Sequence, residues 1–294
     1  MSKRLHFIDQ LQVNLTLLKC PICGQAMAVS EQKSLICKTG HTFDIARKGY
    51  VNFLTRSIHT AYGKDLFEAR RRMIAEHGFF DPLLSTISEQ LKATVTSLSS
   101  LNILDLGCGE GSSFSRLCQK IVSFLPNDIN GFGIDLSKDR INSAAVHYPE
   151  QMWFVADLAY PPFEDGHFDC ILNLLSPSNY TIFNRLLKPG GCVIKVIPGS
   201  NYLKELRTSL YDDQKAHYSN QDTLGLFKKH YPEVTTRHIN YVVRLKKDAI
   251  HDLIKMTPLA WNASEENQRA WLNIPSAEIT ADFDLLIGKS NKRS

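Results

Sequence analysis

The chain has 294 residues, 43% of them hydrophobic, with a formal net charge of +4. That supplies core for one large domain and a small one, and a charge that permits a nucleic-acid partner without demanding one. Seven cysteines argue against a disulfide framework and for a reducing, cytoplasmic setting. No apolar run approaches the ~20 residues of a membrane span, and Met1 to Leu18 lacks the apolar stretch and cleavage site of a signal peptide.

The first motif is Cys20-Pro21-Ile22-Cys23-Gly24, followed by Cys37-Lys38-Thr39-Gly40-His41. The pattern C-x2-C, thirteen residues, C-x3-H aims three thiolates and an imidazole at one point. It leaves no open ligand position, which suits structural zinc rather than catalytic zinc. Gly24 and Gly40 are the turn residues beside the ligands. Val29, Leu35, Ile36, Phe43 and Ile45 make too small a core to fold alone, so Zn2+ is expected to supply much of the folding energy. Lys33, Lys38, Arg47, Lys48 and Arg56 make this module basic, and Tyr50 and Phe53 add aromatics. The combination fits an RNA-contacting surface, or a solvated face over a small core. The module is assigned to residues 1–60.

Residues 61–97 read as a helical connector. After the loop Tyr62 to Asp65, a helix is predicted from Leu66 to about Glu76, with Asp65 as its cap. Arg70, Arg71 and Arg72 fan around it, so some are expected to meet solvent or phosphate and some to pair with Glu68 or Glu76. The helix stops at Gly78, and a second runs from Leu83 to about Ser97.

From residue 98 to 294, short apolar runs alternate with helical stretches, the pattern of a parallel sheet covered on both faces. The first strand is Leu101 to Leu106. The glycines of Gly107-Cys108-Gly109-Glu110-Gly111 follow, then a helix from Ser113 to Val122. Strand, glycine turn and helix N-terminus together make a nucleotide-type site. The second strand, Gly131 to Asp135, ends in an acid suited to two ribose hydroxyls or to capping the helix Lys138 to His147, a role equally open to Ser137. The third strand, Met152 to Ala156, ends in Asp157-Leu158. The fourth, Phe168 to Leu175, exits into Ser176-Pro177-Ser178. Leu187-Lys188-Pro189-Gly190-Gly191 turns into a fifth, Cys192 to Ile197. Asn240 to Lys246 and Glu278 to Leu286 are candidate late strands.

This order of stations across Leu101 to Ile197 resembles the class I S-adenosylmethionine-dependent methyltransferases. The resemblance implies an α/β, Rossmann-like, seven-stranded methyltransferase domain whose last hairpin is antiparallel. It implies that Gly107, Gly109 and Gly111 let the backbone lie against the methionine moiety, with Asp105 and Ser112 beside them. It implies that Asp135 holds the ribose and that Asp157 and Leu158 frame the adenine of S-adenosyl-L-methionine.

The two modules together resemble the bacterial large-subunit (23S) rRNA guanine-N1 methyltransferases. The matching residues are Cys20 to Cys23, Cys37 to His41, Phe43 to Asn52, Ala69-Arg70-Arg71, Gly78 to Pro82, Pro198-Gly199 and Met256 to Trp261. The resemblance implies methylation of a guanine in an rRNA hairpin loop, a clefted homodimer in which the zinc module helps hold RNA, and a branch that confers macrolide tolerance. Phe80 stands where the family often has tyrosine, so it would meet the cofactor by ring packing. His217 matches a cofactor-side histidine. Arg47, Lys48, Arg70, Arg71 and Arg72 are the candidate RNA contacts.

Near the methyl group this fold places Asn173 to Ser178. Asn173 would bond the base edge or be a satisfied strand-end residue, with Ser176 beside it, and Pro177 would shape the pocket. Tyr180, Tyr202 and Trp261 are candidate stacking platforms, or core. Two alternatives to rRNA methylation are a small-molecule methyltransferase with the zinc module as a lid, and a zinc protein that binds nucleic acid without catalysis.

Overall fold

The computed structural model describes residues 1–56, 63–94, 100–124, 128–211, 218–261 and 263–290. Its centre is an eight-stranded sheet. In chain order the strands are β4 Val51–Asn52, β5 Ser100–Leu106, β6 Asp128–Asp135, β7 Met152–Val155, β8 Phe168–Leu174, β9 Leu187–Pro198, β10 Val234–Lys246 and β11 Ser276–Lys289. Across the sheet they lie in the order β10-β11-β9-β8-β5-β6-β7-β4. The β4 to β9 strands run parallel, while β11 is antiparallel to both β9 and β10. Every residue of β8 is buried, as a strand covered on both faces requires.

Seven of these strands are the ones expected of a class I methyltransferase domain. The eighth, β4, comes from the amino-terminal segment and pairs with β7 through Val51↔Phe154 and Asn52↔Val155. Two residues are too few for an alternation pattern to show. The fifth strand starts at Leu187 rather than Cys192, because Leu187 already pairs with Phe168, before a register shift that resumes at Cys170↔Cys192.

One face of the sheet is covered by α2 (Lys64–Ala75), α3 (Asp81–Thr94), α4 (Ser112–Val122), α5 (Lys138–His147) and the helix Lys247–Met256. The other carries α1 (Lys3–Val13), the amino-terminal module, α6 (Tyr180–Leu186) and the helix Gln221–His230. The α1 helix starts at Ser2, whose hydroxyl accepts the Leu5 amide at 3.3 Å, an ordinary N-cap. It buries Phe7, Ile8 and Leu11. The Phe7 ring meets Phe154 of β7 edge-on at 5.8 Å, and Phe53 stacks on Phe154 at 5.9 Å.

The module itself is a three-stranded antiparallel sheet of β1 (Met27–Ser30), β2 (Ser34–Cys37) and β3 (Thr42–Asp44). Further ties bind its flank to the large domain: the Lys19 amide donates to the Pro162 carbonyl, the Glu164 amide donates to the Leu17 carbonyl, and Lys19 pairs with Glu164 and Asp165 at 3.3 and 3.1 Å. No described helix is long and apolar enough to cross a membrane.

Gly49, in the turn before β4, sits at φ +85°, and a Cβ there would stand 2.8 Å from the Lys3 carbonyl oxygen. Gly49→Ala is therefore expected to destabilise the fold by about 2 kcal/mol, from left-handed strain and the clash with α1. Urea unfolding checks this, and an unchanged midpoint would contradict the docking of α1.

Candidate active site and metal centre

Two turns build the metal centre. The Gly24 amide donates to the Cys20 carbonyl at 2.8 Å, the Gly40 amide donates to the Cys37 carbonyl at 2.9 Å, and both glycines are left-handed. Cys20, Cys23, Cys37 and His41 then offer ligand atoms that all lie within 4.8 Å of one another. Cys23 and Cys37 sulfurs are 3.7 Å apart, and His41 Nδ1 is 3.6 and 3.4 Å from Cys20 and Cys37. A tetrahedron with metal–sulfur arms of about 2.3 Å has edges of about 3.8 Å, so the donor set fits zinc. Burial pushes the Cys37 thiol up, but hydrogen bonds from the Thr39 hydroxyl and from the Thr39 and His41 backbone outweigh it and leave it at about 6. The thiolate is the form a metal takes.

The second site lies at the C-terminal ends of β5, β6 and β8, a cleft of about 440 Å³. Its floor is the glycine turn. Gly107, Gly109 and Gly111 are all left-handed, at φ +88°, +61° and +85°. Gly107 and Gly109 line the cleft, and a Cβ on Gly109 would meet nothing nearer than Arg70 at 3.9 Å. It would project into open space that a ligand can use. Gly111 serves packing instead. Its Cβ would strike Trp153 at 2.6 Å and Ala144 at 2.9 Å, so glycine there lets the start of α4 pack on β7 and α5.

Three acids sit around that floor. Asp135 lines the cleft and accepts the Gly109 amide at 3.1 Å and the Ser137 amide at 2.8 Å. Ser137, not Asp135, caps α5. Arg140 approaches Asp135 at 3.4 Å. Glu110 is buried, paired with Arg70 at 3.1 Å and bonded by the Ser112 hydroxyl. Asp105 is buried with its Oδ1 unpartnered. Burial, helped by Asp135 and Glu110 and opposed by Arg70, pushes its carboxyl up to about 8. Glu110 and Asp135 offset the two guanidiniums, and Asp105, kept protonated by burial, is a carboxyl that a ligand bearing positive charge can ionise. The ammonium and sulfonium of S-adenosylmethionine are such charges, and an open glycine turn beside them is the space its backbone-like portion needs.

The walls come from distant parts of the chain. Leu66, Phe67 and Arg70 of α2 form one, and Met256, Thr257, Pro258 and Trp261 another. Arg72 ties the two together through Asp252, at 2.8 and 2.5 Å. Leu158 lines the cleft opposite Leu174 to Pro177, Pro198 and Tyr202.

Several expected residues lie elsewhere. Asp157 is exposed beside a separate depression with Tyr160 and Arg56, because its neighbour Leu158 takes the inward direction. Phe80 is buried between Phe79 and Phe283, at 5.2 and 5.7 Å, away from the cleft lining. Ser112 is fully buried and serves Glu110. His217 lies outside the described residues. Asn173 is fully buried and saturated: its amide donates to the Leu106 and Pro177 carbonyls at 3.1 and 3.0 Å, and its oxygen accepts from Lys195 at 2.7 Å and Ser178 at 3.0 Å. It holds the strand exit and has no atom left for a base edge. Ser176 and Pro177 do line the cleft. Tyr180 stacks on His230 in the opposite core, while Tyr202 and Trp261 are at the cleft.

The three arginines of α2 fan out as expected, and Arg71 takes the pairing with Glu68 and Glu76 expected from the sequence. Arg70 pairs with Glu110, Arg71 with Glu68 and Glu76, and Arg72 with Asp252. Each has a carboxylate partner and remains partly exposed. Arg47 and Lys48 are exposed and form no ion pair among the described residues.

Comparison with known proteins follows this division. A zinc-ribbon family described as "RlmA, N-terminal" matches residues 18–55, and a methyltransferase domain family matches residues 103–191. YxjB of Bacillus subtilis (strain 168), assigned as a 23S rRNA (guanine-N(1)-)-methyltransferase, is 46% identical over 94% of this chain and 98% of its own length. The 23S rRNA (guanine(748)-N(1))-methyltransferase of Streptomyces fradiae is 28% identical over 83% of this chain and 86% of its own.

Two outcomes are expected. Asp105 binds its proton more tightly folded than unfolded, so its contribution to stability is full below the unfolded pKa of 3.8, falls as pH rises toward about 8, and is flat above. Asp105→Asn should flatten the fall in urea midpoint across that window, and an unaltered slope would mean that Asp105 is ionised in the fold. Chelation should lower the melting temperature and release Phe53 and β4, yet change cofactor affinity by less than about tenfold, because β6 and β7 lie between β4 and the glycine turn. Loss of cofactor binding with the metal would contradict that separation.

Proposed function

The chain belongs to the RlmA-type 23S rRNA guanine-N1 methyltransferases, and from that premise we propose how the cleft performs the reaction on an unpaired guanine of an rRNA hairpin loop. The carrying observation is that the likeness to YxjB spans both the zinc ribbon and the cleft.

S-adenosylmethionine supplies an electrophilic methyl group on sulfur. The residues of the chain do the rest. Gly107 lets the turn pack against Ser176, Gly109 leaves room for the ligand, Asp135 accepts the ribose hydroxyls with the lone pairs its two amide donors leave free, and Leu158 packs on the adenine. Asp105, held neutral by burial, would lose its proton beside a bound cation and then offset that charge.

Methyl transfer is an in-line displacement in which guanine N1 takes the methyl group, the sulfur leaves as a neutral thioether and the N1 proton passes to bulk water, so alignment of the base with the methyl group carries most of the catalysis. Leu174 to Pro177, Pro198 and Tyr202 face the floor and give the guanine an apolar slot. Trp261 is 40% exposed at the rim, with its indole nitrogen bonded to the Lys255 carbonyl, and offers a held ring face on which an unpaired base stacks. Arg47 and Lys48 of the ribbon take phosphates. The working unit is proposed as a cytoplasmic homodimer, with the ribbon helping to hold RNA and macrolide sensitivity a phenotype it can alter. A lid role for the ribbon is not favoured, since among the described residues none before Leu66 lines the cleft.

Methyl transfer from labelled S-adenosylmethionine to unmodified 23S rRNA, followed by mapping of the modified base, tests this reading. One N1-methylguanine in a hairpin loop is the expected product. Cofactor binding without any transfer to RNA would move the acceptor to a small molecule.

A further inference from the structure

Lys195 of β9 is 3% exposed, yet no carboxylate pairs with it among the described residues. Its ammonium donates only to neutral oxygens, Asn173 Oδ1 at 2.7 Å and the Ser176 carbonyl at 3.1 Å. A buried cation without a counter-ion is costly, and a neutral donor would serve the same two oxygens at less cost. Burial accordingly lowers the amine to about 8.

The oxygens it holds belong to a strained corner. Leu175 stands at φ +54°, left-handed and without glycine's freedom. Such geometry persists only where the surroundings over-determine it. Here the Leu175 amide donates to Val196 at 3.1 Å, the Asn173 amide grips the Pro177 carbonyl, and the Ser178 hydroxyl returns to Asn173. Lys195 joins both halves, since it touches Asn173 before the corner and Ser176 after it. The corner residues Leu175, Ser176 and Pro177 all line the cleft.

We propose that Lys195 is a positioning residue for methyl transfer, holding the Leu175 to Pro177 corner in the one geometry that aligns the acceptor base. This rests on the reading of the cleft as the methyl-transfer site. Lys195 itself bonds neither the glycine turn nor Asp135, so its effect is expected to be larger on the transfer step than on cofactor affinity.

The test is a double-mutant cycle between Lys195→Met and Leu175→Gly in the full chain, with unmodified 23S rRNA as acceptor. Single-turnover transfer rate, cofactor Kd and melting temperature are read together. Lys195→Met should slow transfer more than threefold with cofactor Kd changed less than threefold. Glycine adopts the left-handed conformation without strain, so the loss caused by Lys195→Met should be at least threefold smaller in the Leu175→Gly background. A transfer rate within threefold of wild type overturns the proposal. So does an equal loss in both backgrounds, which would make Lys195 a residue of the fold alone. If Lys195→Met does not fold, Lys195→Gln is read by the same thresholds. An active wild type with insensitive variants overturns this inference only, whereas a wild type that transfers no methyl to rRNA overturns the functional reading and this inference with it.

Discussion

One backbone carbonyl organises the cleft. The Ile134 oxygen, at the end of β6, accepts the amides of Gly107 and Cys108 at 2.9 and 3.1 Å. The turn leaving β5 is thereby stitched to the neighbouring strand, and the Gly109 amide continues the seam onto Asp135. Three left-handed residues in five could not hold a shape alone. Fixed to β6, they leave a floor with Asp105 and Glu110 buried beside it. The positions of the acids, the direction of α4 and the space above the floor all follow from that seam.

The second constraint is the union of the two modules. A ribbon of this size cannot bury enough apolar surface to stand alone. Zinc meets part of that deficit, and the rest is met by sharing: Phe53 stacks on Phe154, α1 buries Phe7 against the same ring, and β4 extends the large sheet. The ribbon is thus at once a metal site and the edge of the catalytic domain, held at a defined distance from the cleft.

Local features are legible in the sequence and distant ones are hidden. The zinc ligands and the glycine turn can be read because their chemistry resides in spacings of two to four residues. Asp135 can be read because it ends an apolar run. The partner of Arg72 cannot, since Asp252 lies 180 positions away. Asn173 resembles a base-edge contact because nothing in its neighbourhood shows that Lys195 and Ser178 fill its oxygen. Asp157 and Leu158 read as one unit, but adjacent side chains leave a strand end in different directions, and only Leu158 reaches the cleft. The first nineteen residues carry no motif, although Phe7, Ile8 and Leu11 fall on one helical face.

The place of β11 has a consequence for how the chain comes together. Residues 276–289 lie between β9 and β10, not at the border of the sheet. During synthesis, β9 emerges with one whole edge open, and stays open while roughly eighty further residues are made at about 5–20 residues per second. For several seconds the nascent domain therefore shows a long apolar edge that its own last strand must close, a template for wrong pairing in the meantime. The β10 strand cannot close it, because its partner is the same late strand. Completion of the sheet waits for β11, which pairs with β9 along one edge and with β10 along the other.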